Sequence, residues 1–432
     1  MTTTGISPAT GPAAQEQGSR EAAGPVGARP DGPVPLRRNV RFQLLWGGAA
    51  ASTLGIQVSD TAFPLLLLAM TGSATLAGAF GALQMAASLL FGIHGGAVAD
   101  RCDRRRVLVV ADGVRLLAAL SVPVAMALGR FTVVHALLVA VVIGATIAYS
   151  GPVRLLAVRS VVPPEQLRQA LTQDEARMSG AGLMGPPLAG LLLGAGRSVP
   201  FLGVAVSSLL SLLAACAVRF PRHAERPAAG PRERGGALAG FRYLLADRTL
   251  RATVGVVLAI NLVGSAMVLP VIVLLRERGT SSGGIGLALA GEAVGALAGA
   301  LLVSRLHRLA GPGVLLLGVS WTAVPLFLAP LLPGGAVTVF AALLAMGLGV
   351  PALRVMIDLL VFQQVGEELR GRVIAATMTL FTLGMPAGLV GSGVLLDHVA
   401  PGAALAVMAG LLALALLPAT FDRTLRRAVW PL

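Results

Sequence analysis

Apolar residues run along this chain in blocks of roughly 20, separated by short polar stretches in which arginine recurs. A window of about 19 residues, the scale of a spanning helix, picks out twelve blocks: 42–70, 74–98, 107–128, 133–152, 170–194, 200–219, 250–275, 284–303, 313–332, 336–360, 373–396 and 403–421. Crossing a hydrocarbon core takes about 20 residues of helix. The pattern therefore predicts an all-α integral membrane protein with twelve transmembrane helices in two six-helix bundles. Gly and Pro inside the blocks do not argue against this, because in membranes neighbouring helices satisfy the freed backbone and small residues allow close packing.

Composition agrees: 55% of the 432 residues are hydrophobic and 12% charged, against roughly 25% charged in soluble domains. All 34 basic residues are arginine. With the amino terminus placed in the cytoplasm, 27 of them fall in the tails and loops on that side. Arg130, Arg197, Arg276 and Arg278 fall on the other side, and Arg115, Arg177 and Arg354 lie inside helices. This asymmetry predicts both termini inside a multi-pass plasma-membrane protein. It also explains the net charge of +14 by topology and contact with anionic membrane lipids, not by nucleic-acid binding. Cys102 faces a reducing side and Cys216 sits in an apolar run, so no disulfide is expected.

The predicted organisation is a disordered cytoplasmic tail (1–36), an N-terminal bundle (37–220), a cytoplasmic linker (221–248), a C-terminal bundle (249–422) and a short tail (423–432). The first segment is rich in Ala, Gly, Pro, Ser and Thr and cannot bury a core. Near the end of the linker Leu238, Phe241, Leu244 and Leu245 recur at helical spacing, with Arg242, Asp247 and Arg248 opposite. That pattern fits a short helix on the inner membrane face, or else an extension of the seventh span. The halves repeat: Glu165-Gln166-Leu167-Arg168 returns 202 residues later as Glu367-Glu368-Leu369-Arg370, and Gly96-Ala97 returns as Gly299-Ala300.

Charges within spans are costly and point to function by default. Asp60, with Gln57 one turn before it, is a candidate to bind a proton or a cationic substrate. So is Glu292, between Gly291 and Gly295. A hydrogen-bonded structural carboxyl is the plain alternative for both. Asp112 with Arg115, and Arg354 with Asp358, stand at helical pairing distance and suit structural pairs or gate elements. Asp174 and Glu175 open the fifth block, where acids suit a helix amino terminus; Arg177 reaches deeper, toward an anionic substrate group. There is no phosphate-binding loop, metal-ligand cluster or catalytic triad in the sequence, so neither a cofactor nor a catalytic residue is expected, and an ATP-driven pump is excluded within this chain.

Two stretches carry a resemblance to a family. Gly96-Ala97-Val98-Ala99-Asp100-Arg101-Cys102-Asp103-Arg104-Arg105-Arg106-Val107-Leu108 resembles the loop signature between helices 2 and 3 of the major facilitator superfamily, G-x-x-A-D-R-x-G-R-R-x-x-L, with Asp103 where the family usually has Gly. Gly185-Pro186-Pro187-Leu188-Ala189-Gly190 resembles the helix 5 motif of the antiporters, with Ala189 replacing one Gly. The stretch from Ser150 to Glu165 is similar to the exporter branch that includes enterobactin and macrolide efflux proteins. The intramembrane arginine that many drug:proton antiporters carry in helix 4 is absent.

The resemblance implies a secondary transporter in which two halves rock around a midplane cavity lined by helices 1, 4, 7 and 10. This makes Asp60, Asn261 and Arg354 the first residues to examine. It implies that Asp100, within the gate motif of Gly96, Arg101, Arg104 and Arg105, latches onto the start of helix 11 at Arg370-Gly371-Arg372. It implies that Gly185, Pro186 and Gly190 form a hinge or a tight seam. The expected activity is export of an amphipathic small molecule (a drug, antibiotic or siderophore-like metabolite) by proton antiport, from a monomer. A metabolite importer of the same superfamily and a non-transporting receptor or scaffold are the alternatives.

Overall fold

The computed structural model describes residues 35–218, 238–246, 248–306, 311–364 and 367–422. The expected amino-terminal tail up to residue 34, residues 219–237 (the last two of the predicted N-terminal bundle and most of the linker) and the final tail lie outside them, as do the side chains of Asp100, Arg354, Asp358, Arg370 and Arg372.

Thirteen helices are described: α1 (Val40–Thr71), α2 (Ala74–Arg101), α3 (Arg104–Ala127), α4 (Val133–Val161), α5 (Leu167–Ala195), α6 (Val199–Ala217), α7 (Leu238–Ala246), α8 (Arg248–Glu277), α9 (Ser282–Leu306), α10 (Pro312–Leu326), α11 (Gly335–Gln364), α12 (Glu367–Leu396) and α13 (Pro401–Phe421). Eleven are long and apolar enough to cross a bilayer, and α12 contributes a shorter apolar stretch, Thr382–Leu396. Spans one to six are therefore α1 to α6, and spans seven to twelve are α8 to α13. The remaining helix, α7, lies in the linker and packs against α8 and α12; residue 247, between α7 and α8, lies outside the described residues, so the choice between a separate helix and an extension of the seventh span lies there too. On α7, Leu244 is buried while Leu245 is exposed.

Side-chain caps start four of these helices. Asn39, Ser73, Asp103 and Thr132 accept from Phe42, Leu76, Arg106 and His135 amides, satisfying donors that a helix start leaves open. Asp103, the departure from the loop signature, is thus the cap of α3. Two boundaries differ from expectation. Helix α4 runs through Pro152 to Val161 because neighbouring helices satisfy the backbone that proline frees. That moves Arg154 from a loop into a helix, where its guanidinium has partners. Helix α5 begins at Leu167 with no acid in its first turn. Asp174 and Glu175 consequently lie well inside the helix, which overturns their reading as acids at the helix start.

The two halves share one pairing scheme. α1 packs on α5 and α6, α2 on α4, and α3 on α4 and α6; likewise α8 packs on α12 and α13, α9 on α11, and α10 on α11 and α13. Glycines bring backbones together within each half. A Cβ on Gly291, Gly295 or Gly299 of α9 would strike the backbone of Phe340, Leu344 or Leu348 on α11, the close small-residue packing that membrane bundles favour.

The halves meet along α2–α12 and α5–α9. On α2, Gly78 and Gly81 press on Leu389 of α12, and Gly393 presses on Ala74 and Thr75. The α2–α12 seam is therefore closed at the end far from the arginine-rich turn; toward the basic end, most side chains of α12 lie outside the described residues.

Candidate functional site

Asp60 lies near the middle of α1, between the buried Ser59 and Thr61, yet is itself accessible. Its Oδ1 accepts a 2.8 Å hydrogen bond from Nε2 of Gln84 on α2. Gln57, one turn earlier, packs against α5, where a Cβ on Gly185 would strike it and a Cβ on Gly182 would lie 3.5 Å from its amide nitrogen. The same Cβ on Gly182 would lie 4.0 Å from Ala293 of α9. Gln57 of α1 thus lies against α5 close to where α5 approaches Ala293 of the second half.

Glu292 stands beside Ala293 and is accessible, with no hydrogen bond or ion pair to a described residue. The exposed Leu287, Leu297 and Leu301 occupy the opposite face of α9. The carboxyl thus points inward, away from lipid. Gly144 of α4 packs on the carbonyl of Gln84, and Gly347 of α11 packs on the carbonyl of Glu292. Gln84 was missed in the sequence because a lone glutamine in an apolar block carries no charge to mark it.

Other candidates are engaged elsewhere. Arg177 forms a 2.7 Å ion pair with Asp174 and donates to the Ala49 carbonyl and the Thr53 hydroxyl, which ties α5 to α1. Asn261 of α8 donates to the Val257 carbonyl of its own helix at 3.0 Å. Asp112 and Arg115 do pair, at 3.5 Å, but inside the first bundle. Arg154 donates to both Asp112 carboxylate oxygens, at 2.9 and 3.0 Å, and Ser211 donates to Asp112 at 2.7 Å. Arg115, with 1% of its surface exposed, donates to Ser52, Thr146 and Ser150. This network joins α1, α3, α4 and α6. The pairing of Arg354 with Asp358 lies outside the described side chains.

In the gate motif, Arg101 is exposed and Arg105 donates to the Cys216 carbonyl on α6. Arg104 has a partner among its surroundings. The expected contact of Asp100 with the start of α12 lies outside the described side chains. The helix 5 motif forms a seam: a Cβ on Gly190 would strike the Ser282 carbonyl, and one on Gly286 would strike the Pro186 carbonyl. Helix α5 continues through Pro186 and Pro187.

One inter-half contact has no precursor in the motifs. Asp397, just past α12, accepts from the Ala74 amide at 2.9 Å and the Ser73 hydroxyl at 3.2 Å, at the free amino end of α2. Slight burial pushes its carboxyl up, but hydrogen bonds from the Thr75 side chain, the Ala74 amide, the Ser73 hydroxyl and the Thr75 amide outweigh this and hold it below its ordinary value.

Relatives share this architecture. The chain is 28% identical over 381 residues to the multidrug efflux pump Tap of Mycobacterium tuberculosis, covering 83% of this chain and 88% of that one. It is 24% identical over 375 residues to macrolide efflux protein A of Streptococcus pyogenes, covering 83% and 90%. Among solved structures, the nucleoside transporter NupG superposes with a TM-score of 0.71 at 14% identity, over 89% of this chain and all (100%) of that one. A bacterial homologue of the iron transporter ferroportin, in an inward-facing state, gives 0.67 at 15% identity, over 90% and 100%. At such identities the structures speak for the fold alone. Residues 32–427 match the model of the transmembrane secretion effector family, and the chain belongs to that family within the major facilitator superfamily.

Proposed function

We propose that this protein exports amphipathic small molecules across the plasma membrane, its two halves rocking about the space bordered by Gln57, Asp60, Gln84 and Glu292. The observation that carries this reading is the pair of accessible intramembrane carboxyls, on α1 and α9, in a bundle of two similarly packed halves that meet along α2–α12 and α5–α9. Similarity to the Tap pump and to macrolide efflux protein A supports outward transport of drug-like substrates. The arginine distribution supports a cytoplasmic basic end. Asp100, at that end, engages the start of α12 when the halves rock to close it. Protons, exchanged at Asp60 or Glu292, drive uphill export by the monomer; an ionisable group facing an aqueous path inside a membrane suits such a relay.

Everted vesicles holding the purified protein test the reading with a macrolide or a fluorescent cationic dye and an imposed pH gradient. Wild-type protein concentrates the substrate. Asp60→Asn or Glu292→Gln abolishes uphill movement while leaving counterflow measurable. If both variants still concentrate substrate with a proton gradient as the sole energy source, coupling lies at another group. Movement in the reverse direction makes the protein an importer.

A further inference from the structure

A cleft of about 720 Å³ opens between α2, α3 and α4 at the basic end, away from the space between the halves. Its volume falls within the range of roughly 300–1,000 Å³ typical of small-molecule sites. Helix α3 is peripheral: it packs chiefly on α4 and α6 and makes no substantial contact with the second half. Its Val110, Val114 and Leu117 are 62%, 41% and 69% exposed, an apolar stripe that in a spanning helix faces lipid. Val110 and Val114 form one wall of the cleft, and Val98 and Val142 line it from α2 and α4.

At the mouth stand two cations. Arg101 ends α2, and Arg106 lies in the first turn of α3; both are exposed, line the cleft and make no side-chain hydrogen bond or ion pair to a described residue. Arg105, between them in sequence, is turned away to Cys216. Among the described lining residues Asp103 is the acid, and its carboxylate is occupied as the cap of α3, accepting from the Arg106 amide at 2.9 Å. The amino end of α3 adds its positive dipole to the two guanidinium groups. From Arg106 to Val114 the cleft follows α3 for about 12 Å, close to the depth of one leaflet's hydrocarbon, about 15 Å.

We infer that this cleft binds an anionic glycerophospholipid of the leaflet bordering the basic end, its phosphate on Arg101 and Arg106 and an acyl chain along Val98, Val110, Val114 and Val142. The charge pattern selects the occupant. A neutral amphiphile leaves both guanidinium groups unanswered, a soluble anion leaves the valine wall uncovered, and an anionic lipid meets both. Guanidinium groups suit phosphate through paired hydrogen bonds, and basic pockets between spanning helices on the cytoplasmic side are recurrent headgroup sites.

Native mass spectrometry of the full chain, released from nanodiscs of dioleoyl phosphatidylcholine containing dioleoyl phosphatidylglycerol, tests this. Wild-type protein retains phosphatidylglycerol in preference to phosphatidylcholine. Arg101→Gln and Arg106→Gln each lower that preference about fivefold, and Arg106→Lys preserves most of it. Val110→Trp, which fills the cleft and keeps both charges, lowers retention as well and guards against misfolding or altered topology in the charge variants. Millimolar glycerophosphoglycerol or inorganic phosphate leaves the lipid in place. Equal retention of the two lipids, indifference to Val110→Trp, or displacement by free phosphate overturns the assignment, the last by making this a simple anion site.

Discussion

The contact between Asp397 and the start of α2 exists only while the two halves meet at that end, so removing it shifts the balance between the transporter's two forms by its full worth. Asp397→Ala deletes the acceptors of the Ala74 amide and the Ser73 hydroxyl. Losing a side-chain cap costs about 0.5–2 kcal/mol; Asp397 is exposed, and solvent screening makes about 1 kcal/mol the appropriate value. That corresponds to about a fivefold larger fraction open at this end. Asp397→Asn keeps an acceptor and loses only the charge, so a shift of about twofold is expected.

Leu389 is the reporter, since its backbone and side chain fill the seam against Gly78 and Gly81. Cys102 and Cys216 are both free and exposed and are first replaced by serine. A membrane-impermeant maleimide then reacts with Leu389→Cys about five times faster in the Asp397→Ala background. The pH dependence follows from the lowered pKa of Asp397. A carboxyl whose pKa is depressed by a contact contributes fully above its ordinary range and loses that contribution as pH falls through the depressed value. The rate ratio between variant and parent therefore stays flat from about pH 8 to about 5.5, and the parent approaches the variant only below about pH 4. An unchanged labelling rate in Asp397→Ala, or a ratio that collapses between pH 7 and 5.5, refutes the latch.

Asp112→Ala leaves Arg115 buried and Arg154 unpaired, a loss of roughly 3–5 kcal/mol; the melting temperature in detergent falls sharply, and a value unchanged from wild type contradicts the network's structural role. Gly190→Leu drives a side chain into the Ser282 carbonyl across the seam, so the halves cannot close there and export drops at least tenfold at normal membrane insertion. Near-normal efflux returns the motif to ordinary packing. Asp103→Ala, which removes the cap of α3, costs about 1 kcal/mol whereas Asp103→Gly costs a few tenths; equal melting temperatures for the two contradict the capping role.

Much of this molecule was legible as one-dimensional pattern. Twelve apolar blocks, an arginine-rich turn and a repeated tetrapeptide predict a duplicated all-α membrane protein, because a bilayer forces every span to satisfy its own backbone and so leaves its length written in the sequence. Pairs at helical spacing were legible for the same reason: Asp112 and Arg115 do meet. What escaped depended on residues far apart in the chain. Pro152 looked like the end of a helix until neighbouring helices carried α4 past it, and only then did Arg154 become a partner of Asp112. Gln84 gained meaning from Asp60 24 positions away, and Asp397 from an amide 323 positions away. The hydrophobic pattern by itself determined which segments enter the membrane and which turn is basic. Tertiary structure decided which polar groups share an interior space and at which end the halves meet, since those depend on backbone approach at glycines such as Gly78, Gly182 and Gly190, where sequence shows only the lack of a side chain and not what lies opposite it.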